Sequence, residues 1–244
     1  RGENITYYTS DIYIEKIKKT GANVRSISQR AQSFMNEVMT QLQKDGGRSG
    51  ALIKHLPKMI DTMEWVTDEI LAEIKDEHFD YVIYDAQSFS GKCIADIKNI
   101  PAICMWTTFA SHPKSNLFEE MRKQMERKVL KSMEEKKAEI TKKKTKLEQK
   151  YGIKIPDLLQ SMRWEADFHL VFTSRYFQPD ADLFEDEYLF VGPSIADRQD
   201  ETDFPMSEIV DNKVVYMALG TIVNNKPELY KLCIEALKDL DLKI

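Results

Sequence analysis

Phe79-Asp80-Tyr81-Val82-Ile83-Tyr84-Asp85 is a run of aromatic and β-branched residues that stops on a carboxylate. A strand with little polar alternation suits a parallel sheet covered on both faces. Similar runs lie at 5–9, 102–106, 168–173, 188–191 and 214–219. Between the first two, Phe34, Val38 and Leu42 form one helical stripe. Leu52, Leu56, Met59, Met63, Val66, Ile70 and Ile74 form a longer one. Gly46-Gly47 separates the two helices, and Pro57 is expected to kink or restart the second. Strand alternating with helix predicts an α/β domain with a Rossmann-like, doubly wound parallel sheet. In such sheets ligands sit beyond the carboxyl ends of the strands. The residues that follow Tyr84, Trp106, Val171 and Leu219 are therefore the places to look for chemistry.

Two segments break the alternation. Residues 115–150 are rich in Lys and Glu and carry a stripe of Leu117, Met121, Met125, Val129 and Met133, continued by Ile140, Leu147 and Tyr151. This predicts a long helix or helical hairpin laid against the sheet. Its lysines alternate with glutamates at helical spacing, which favours a solvated face over a nucleic-acid or membrane-surface face. The Met stripe reads first as packing. Methionine also adapts to varied apolar ligands, so a share in an apolar ligand pocket stays open. The second segment, 194–213, contains Asp197-Arg198-Gln199-Asp200-Glu201-Thr202-Asp203 between Pro193 and Pro205 and reads as a linker. Beyond it a strand at 214–219, a Gly220-Thr221 turn and a helix from Pro227 begin a new βα unit.

Composition excludes several classes. Of 244 residues 42% are hydrophobic and 31% charged, as in ordinary globular domains. A net charge of -5 argues against nucleic acid as the main partner. No apolar run is long enough to span a membrane. Cys93, Cys104 and Cys233 are widely spaced within apolar stretches, without a CxxC pair. They fit reduced thiols, and a cytoplasmic location is expected. No GxGxxG or GxxxxGK[ST] occurs among the nine glycines, so nicotinamide and P-loop readings lose their support. No metal cluster is expected either. The opening β-rich stretch after Arg1-Gly2 and the closing Leu240-Asp241-Leu242-Lys243-Ile244 both read as points within a fold.

Three places can carry chemistry. Asp85 ends a buried strand, where a lone carboxylate is costly without a partner. It reads either as an N-cap for a helix starting near Phe89 or as the carboxylate that orients a catalytic histidine. His112 is the histidine placed just beyond a strand end, with a role away from any ligand as the alternative; His55, His78 and His169 are not so placed. Gly220-Thr221 reads either as a capped turn or as an anion site for phosphate.

The blocks Phe79–Asp85, Ile100-Pro101-Ala102-Ile103 and Thr107-Thr108-Phe109 resemble the acceptor domain of bacterial UDP-glycosyltransferases of the macrolide glycosyltransferase family. Phe172-Thr173-Ser174-Arg175-Tyr176-Phe177-Gln178-Pro179 and Phe190-Val191-Gly192-Pro193-Ser194 resemble that family's interdomain segment. Val214-Val215-Tyr216-Met217-Ala218-Leu219-Gly220-Thr221 resembles the opening of its donor domain.

The resemblance implies a GT-B fold of two Rossmann-like domains. It divides this chain into an acceptor domain at 1–193 lacking its first strand and helix, a linker at 194–212, and the start of a donor domain at 213–244. It implies single-displacement, inverting transfer of a hexose, with glucose expected, from a UDP-sugar to a hydroxyl of a hydrophobic small molecule such as a flavonoid or macrolide. The UDP-sugar is a co-substrate; no cofactor or metal is implied. Asp85 would orient a general-base histidine that stands in the loop after the absent first strand. Ser88, Phe89, Thr107, Thr108, Phe109 and His112 would surround the acceptor, and Gly220 and Thr221 would meet the donor phosphates. Because that histidine and most of the donor domain are missing, these 244 residues alone are expected to be inactive. A non-catalytic small-molecule-binding module and a nucleotide-sugar epimerase of the same fold are the alternatives.

Overall fold

The structure is a computed structural model. It describes residues 2–44, 49–112, 114–115, 127–156, 165–195, 206–220 and 224–243. The element order is β1 (Thr6–Thr9), α1 (Asp11–Lys18), β2 (Asn23–Ser26), α2 (Gln29–Lys44), α3 (Ser49–Glu73), β3 (Val82–Asp85), α4 (Phe89–Lys98), β4 (Ala102–Trp106), α5 (Arg127–Tyr151), β5 (Phe168–Val171), β6 (Tyr188–Phe190) and α6 (Pro227–Leu237). Single 3₁₀ turns lie at Ala181–Leu183 and Met206–Glu208.

Every strand pairing is parallel. β3, β4, β5 and β6 form one sheet in that order, while β1 and β2 form a separate pair. All carboxyl ends of the four-stranded sheet therefore lie along one edge, where Asp85, Trp106, Val171 and Phe190 hand over to loops. Between β1 and β3 lies a cavity of about 330 Å³. Tyr7 and Tyr8 line it from one side, and Tyr84, Asp85 and Ser88 from the other.

Register aligns Tyr84, Cys104, His169 and Tyr188 in one row across the sheet. All four are almost fully buried and belong to the main core cluster or pack within it. α4 lies on this face. Its Gly91 comes so close to β3 that an added Cβ would stand 2.3 Å from the Cβ of Tyr84. Glycine is required here for space, and not for a backbone angle. The α4 helix ends on Asn99 in the left-handed region (φ 53°), which lets the chain turn into Pro101 and β4. The opposite face carries Ile83, Phe168, Leu189 and Val191, each about half exposed. The apolar runs seen in the sequence thus supply two apolar faces, of which one is covered among the described residues.

Several expectations change. α3 continues through Pro57, so the proline neither ends nor restarts it; one missing N–H is absorbed within a 25-residue helix. Gly46-Gly47 lies outside the described residues, although α2 ends and α3 begins on either side of it. α5 packs along α3 instead of lying on the sheet. Ile140 and Leu147 are buried there, and Lys143, Lys146 and Lys150 reach Asp61, Glu64 and Asp68 of α3. A face read as merely solvated is in part a charged seam. Leu117, Met121 and Met125 lie outside the described residues, as do the side chains of Val129 and Met133.

The stretch at 214–219 is not a strand. It makes one parallel bridge, Val214 to Lys243, through Val215 N–H to Lys243 C=O (2.8 Å) and Lys243 N–H to Lys213 C=O (2.8 Å). Its β-forming side chains find a single partner residue, and a ladder needs more. The helix expected from Pro227 is present as α6, while the strand expected before it is reduced to this bridge. Most of the linker, 196–205, lies outside the described residues.

Candidate functional site

The carboxyl edge of the sheet gathers three of the singled-out segments. Asp85 closes β3, paired in register with Met105 of β4, so Thr107 follows two residues beyond that partner, just past the end of the neighbouring strand. Its carboxylate Oδ1 accepts the Gln87 N–H at 2.8 Å, and its carbonyl accepts the Ser88 N–H at 2.7 Å. This is an Asx-type turn. The capping reading is thereby corrected: Ser88 holds the N-cap position of α4, without a side-chain cap bond, and Asp85 shapes the turn before it. Asp85 is half-buried and lines the cavity shared with β1, as does the exposed Ser88. Phe89 is placed differently. It is 6% exposed and packs inside the core, one residue removed from the rim.

Thr107, Thr108 and Phe109 leave β4 as an exposed turn, followed by the buried Ala110 and Ser111. The Phe109 ring lies 5.4 Å from that of Phe177, which stands on the loop after β5 and is largely exposed. His112 sits further along. Its Nδ1 accepts the Lys114 N–H at 3.2 Å, and its ring meets Phe184 edge-on at 5.5 Å. Gly220 adopts a left-handed backbone (φ 77°), a conformation open to glycine. Thr221 lies outside the described residues.

One residue escaped the reading of the sequence. Gln178 is 5% exposed, and its carboxamide bonds both backbone groups of Ala110. Its position beside Pro179 in a polar loop gave no sign of burial. The histidines are otherwise accounted for. His169 is buried in the core; His55 packs near Phe34 at 6.4 Å between centroids; His78 is exposed near Asp80. Among the described residues no histidine lines the Asp85 cavity. Among the described residues no group of three or more His, Cys, Asp or Glu side chains could hold a metal ion. Cys93 and Cys104 are buried, and burial pushes each thiol up to about 12. Among the described residues no helix is long and apolar enough to cross a membrane.

No family model matches the chain. It is 32% identical over 247 residues to an uncharacterized UDP-glucosyltransferase, YojK, of Bacillus subtilis, with all of this chain and 58% of that protein covered. An NDP-glycosyltransferase of Bacillus licheniformis is 29% identical over 248 residues, covering 98% of this chain and 56% of the relative. Two solved structures share the fold. The calicheamicin glycosyltransferase CalG4 superposes with a TM-score of 0.66 at 23% identity, over 99% of this chain and 56% of its own. The glycotransferase of kitacinnamycin gives 0.71 at 19% identity, over 100% and 57%. The chain spans about half the length of the curated relatives it matches. The chain is thus similar to bacterial proteins named UDP-glucosyltransferase and NDP-glycosyltransferase, and has the α/β architecture of one half of a GT-B fold.

Proposed function

We propose that this chain is the acceptor-binding part of an inverting, UDP-sugar-dependent hexosyltransferase that glycosylates hydroxyl groups of hydrophobic small molecules. The observation that carries the reading is the carboxylate of Asp85 on the rim of a cavity, with the exposed Thr107-Thr108-Phe109 turn on the adjacent strand. Two exposed aromatic rings, Phe109 and Phe177, offer an apolar platform for a phenolic or macrolide-like acceptor. Thr107, Thr108 and Ser88 supply hydroxyls that orient its reacting group. The name UDP-glucosyltransferase borne by a relative supports UDP-glucose as donor.

In this mechanism Asp85 holds a histidine in the tautomer that accepts the acceptor's proton, and stabilises the imidazolium that forms. The acceptor oxygen bonds to the anomeric carbon as the bond to the UDP oxygen breaks, and UDP leaves with the electron pair. Gly220 and Thr221 receive the diphosphate on backbone N–H groups and a hydroxyl. Among the described residues no histidine lines the Asp85 cavity, and in this reading the 244 residues by themselves bind acceptor without turning it over. Cys93 and Cys104, buried and unpaired, suit a reducing cytoplasm.

The test uses the complete gene product with UDP-glucose and a panel of phenols, followed by mass spectrometry. A gain of one hexose on an acceptor is the expected outcome. Tight phenol binding with no hexose added from any sugar nucleotide would leave a binding protein on a glycosyltransferase scaffold.

A further inference from the structure

The ladder between β4 and β5 ends at Trp106 and Val171, with a last bond from Phe172 N–H to Trp106 C=O at 2.9 Å. Both chains then leave the sheet, and Gln178 ties them together again. Its Oε1 accepts the Ala110 N–H (2.9 Å), while its Nε2 donates to the Ala110 C=O (3.1 Å) and to the Pro179 C=O (3.0 Å). One side chain thus makes the two-bond exchange that a facing residue makes in a β-ladder. The same two loops also meet through the Phe109–Phe177 rings, the Ser115 hydroxyl donating to Asp180 (2.6 Å), and His112 against Phe184.

We propose that Gln178 is a positioning residue for the acceptor: its buried carboxamide fixes the backbone of Ala110 and so sets Thr107, Thr108 and Phe109, without touching the acceptor itself. The inference rests on the reading of that turn as an acceptor wall. Any other position of the turn would leave buried N–H and C=O groups without partners, which is costly. The turn is therefore held before an acceptor arrives, and binding loses less entropy in ordering it. Glutamine suits the task because it offers a donor and an acceptor together at the end of a long side chain. An ionised glutamate has the same shape and lacks the donor.

The test compares Gln178→Glu, Gln178→Met and wild type in the complete protein across pH. At about pH 8 the carboxylate of Gln178→Glu sets an oxygen against the Ala110 carbonyl. The acceptor KM is expected to rise roughly tenfold while the donor KM stays unchanged, and amide exchange over 107–110 to quicken by a similar factor. Exchange over 102–106 stays as in wild type. On acidification the protonated carboxyl regains its donor, and its burial brings this on above the usual carboxylate range. The acceptor KM then returns toward wild type. His112, Lys114, Arg175, Tyr176, Asp180, Asp182, Glu185, Asp186 and Glu187 are the charged or titratable groups on the described parts of the two loops, and the wild-type profile carries their contribution. Gln178→Met is expected to show the loss at every pH. A loss that is equal in both variants and independent of pH, or an unchanged acceptor KM at about pH 8, overturns the proposal. If wild type itself transfers no sugar, the functional reading fails separately. Amide exchange over 107–110 then still decides: pH-dependent protection in Gln178→Glu supports the positioning role, and protection equal to wild type at every pH removes it.

Discussion

The indole N–H of Trp106 donates to Nδ1 of His169 across 3.0 Å, with both side chains buried. His169 in turn stacks on Tyr188, with ring centroids 4.1 Å apart and planes 5° from parallel. The bond needs an unprotonated Nδ1, so the neutral ring carries its hydrogen on Nε2. β4 and β5 are thereby joined by side chains as well as by backbone, one residue before the Thr107 turn.

His169→Phe keeps an aromatic ring against Tyr188 and leaves the Trp106 N–H buried without an acceptor. The expected loss is about 1–3 kcal/mol of stability, read from the urea midpoint at unchanged slope. An unchanged midpoint would mean that the indole finds another partner and that the pair contributes nothing.

Gly91→Ala tests the contact of α4 with β3. The new methyl would meet Tyr84 backbone-proximal atoms, which cannot swing aside as a flexible side-chain tip could. Overpacking of this kind costs about 1–3 kcal/mol, so the thermal unfolding midpoint should fall by several degrees. Ser88 heads the same helix, so phenol binding should weaken as well. Full stability and full binding together would show that α4 shifts freely on the sheet.

The elements that could be read from sequence are those whose side chains are decided locally. β4 was expected and observed at the same residues because Pro101 and the polar Thr107 bound an apolar run. β3 was expected at 79–84 and found at Val82–Asp85, since pairing starts where Ala102 of β4 supplies a partner. β2 went unread: Asn23, Arg25 and Ser26 leave Val24 alone as an apolar residue, and the strand exists because β1 lies beside it. The short α1 packs on that pair and was missed for the same reason. At the site, Asp85 was legible as a carboxylate at a strand end. Gln178 was not, because its importance comes from Ala110, a residue far away in the chain that the fold brings to it.

The seam between α3 and α5 should make stability depend on pH. Burial pushes the Glu64 carboxyl up, but hydrogen bonds from Lys150 (2.8 Å) and Lys146 (3.1 Å), with their charges, outweigh it and hold the group below its ordinary value of 4.5. A group depressed in the folded state stabilises the fold above its unfolded value. That contribution disappears as the pH falls through the folded value. Glu64→Gln is therefore expected to cost about 1 kcal/mol near neutrality, and its gap to wild type to close as the pH falls below the ordinary carboxylate range. A gap that stays constant over this range would place the effect in packing.

Asp85→Asn separates the two roles that meet in Asp85. The Asx-type turn needs only an oxygen to accept the Gln87 N–H, and asparagine supplies one. Folding and phenol binding by the variant should match wild type. Orientation of a histidine and stabilisation of its charged form need the carboxylate, and asparagine cannot provide the charge. Removing the orienting carboxylate of a histidine base costs up to about 10⁴-fold in a comparable arrangement. Hexose transfer by the complete protein should therefore fall by orders of magnitude, with the acceptor dissociation constant unchanged. Asp85→Ala should lose the turn as well and show lower stability beside the lost turnover. If Asp85→Asn kept near-normal transfer, Asp85 would be a residue of the turn alone, and the base would have to be oriented by another group.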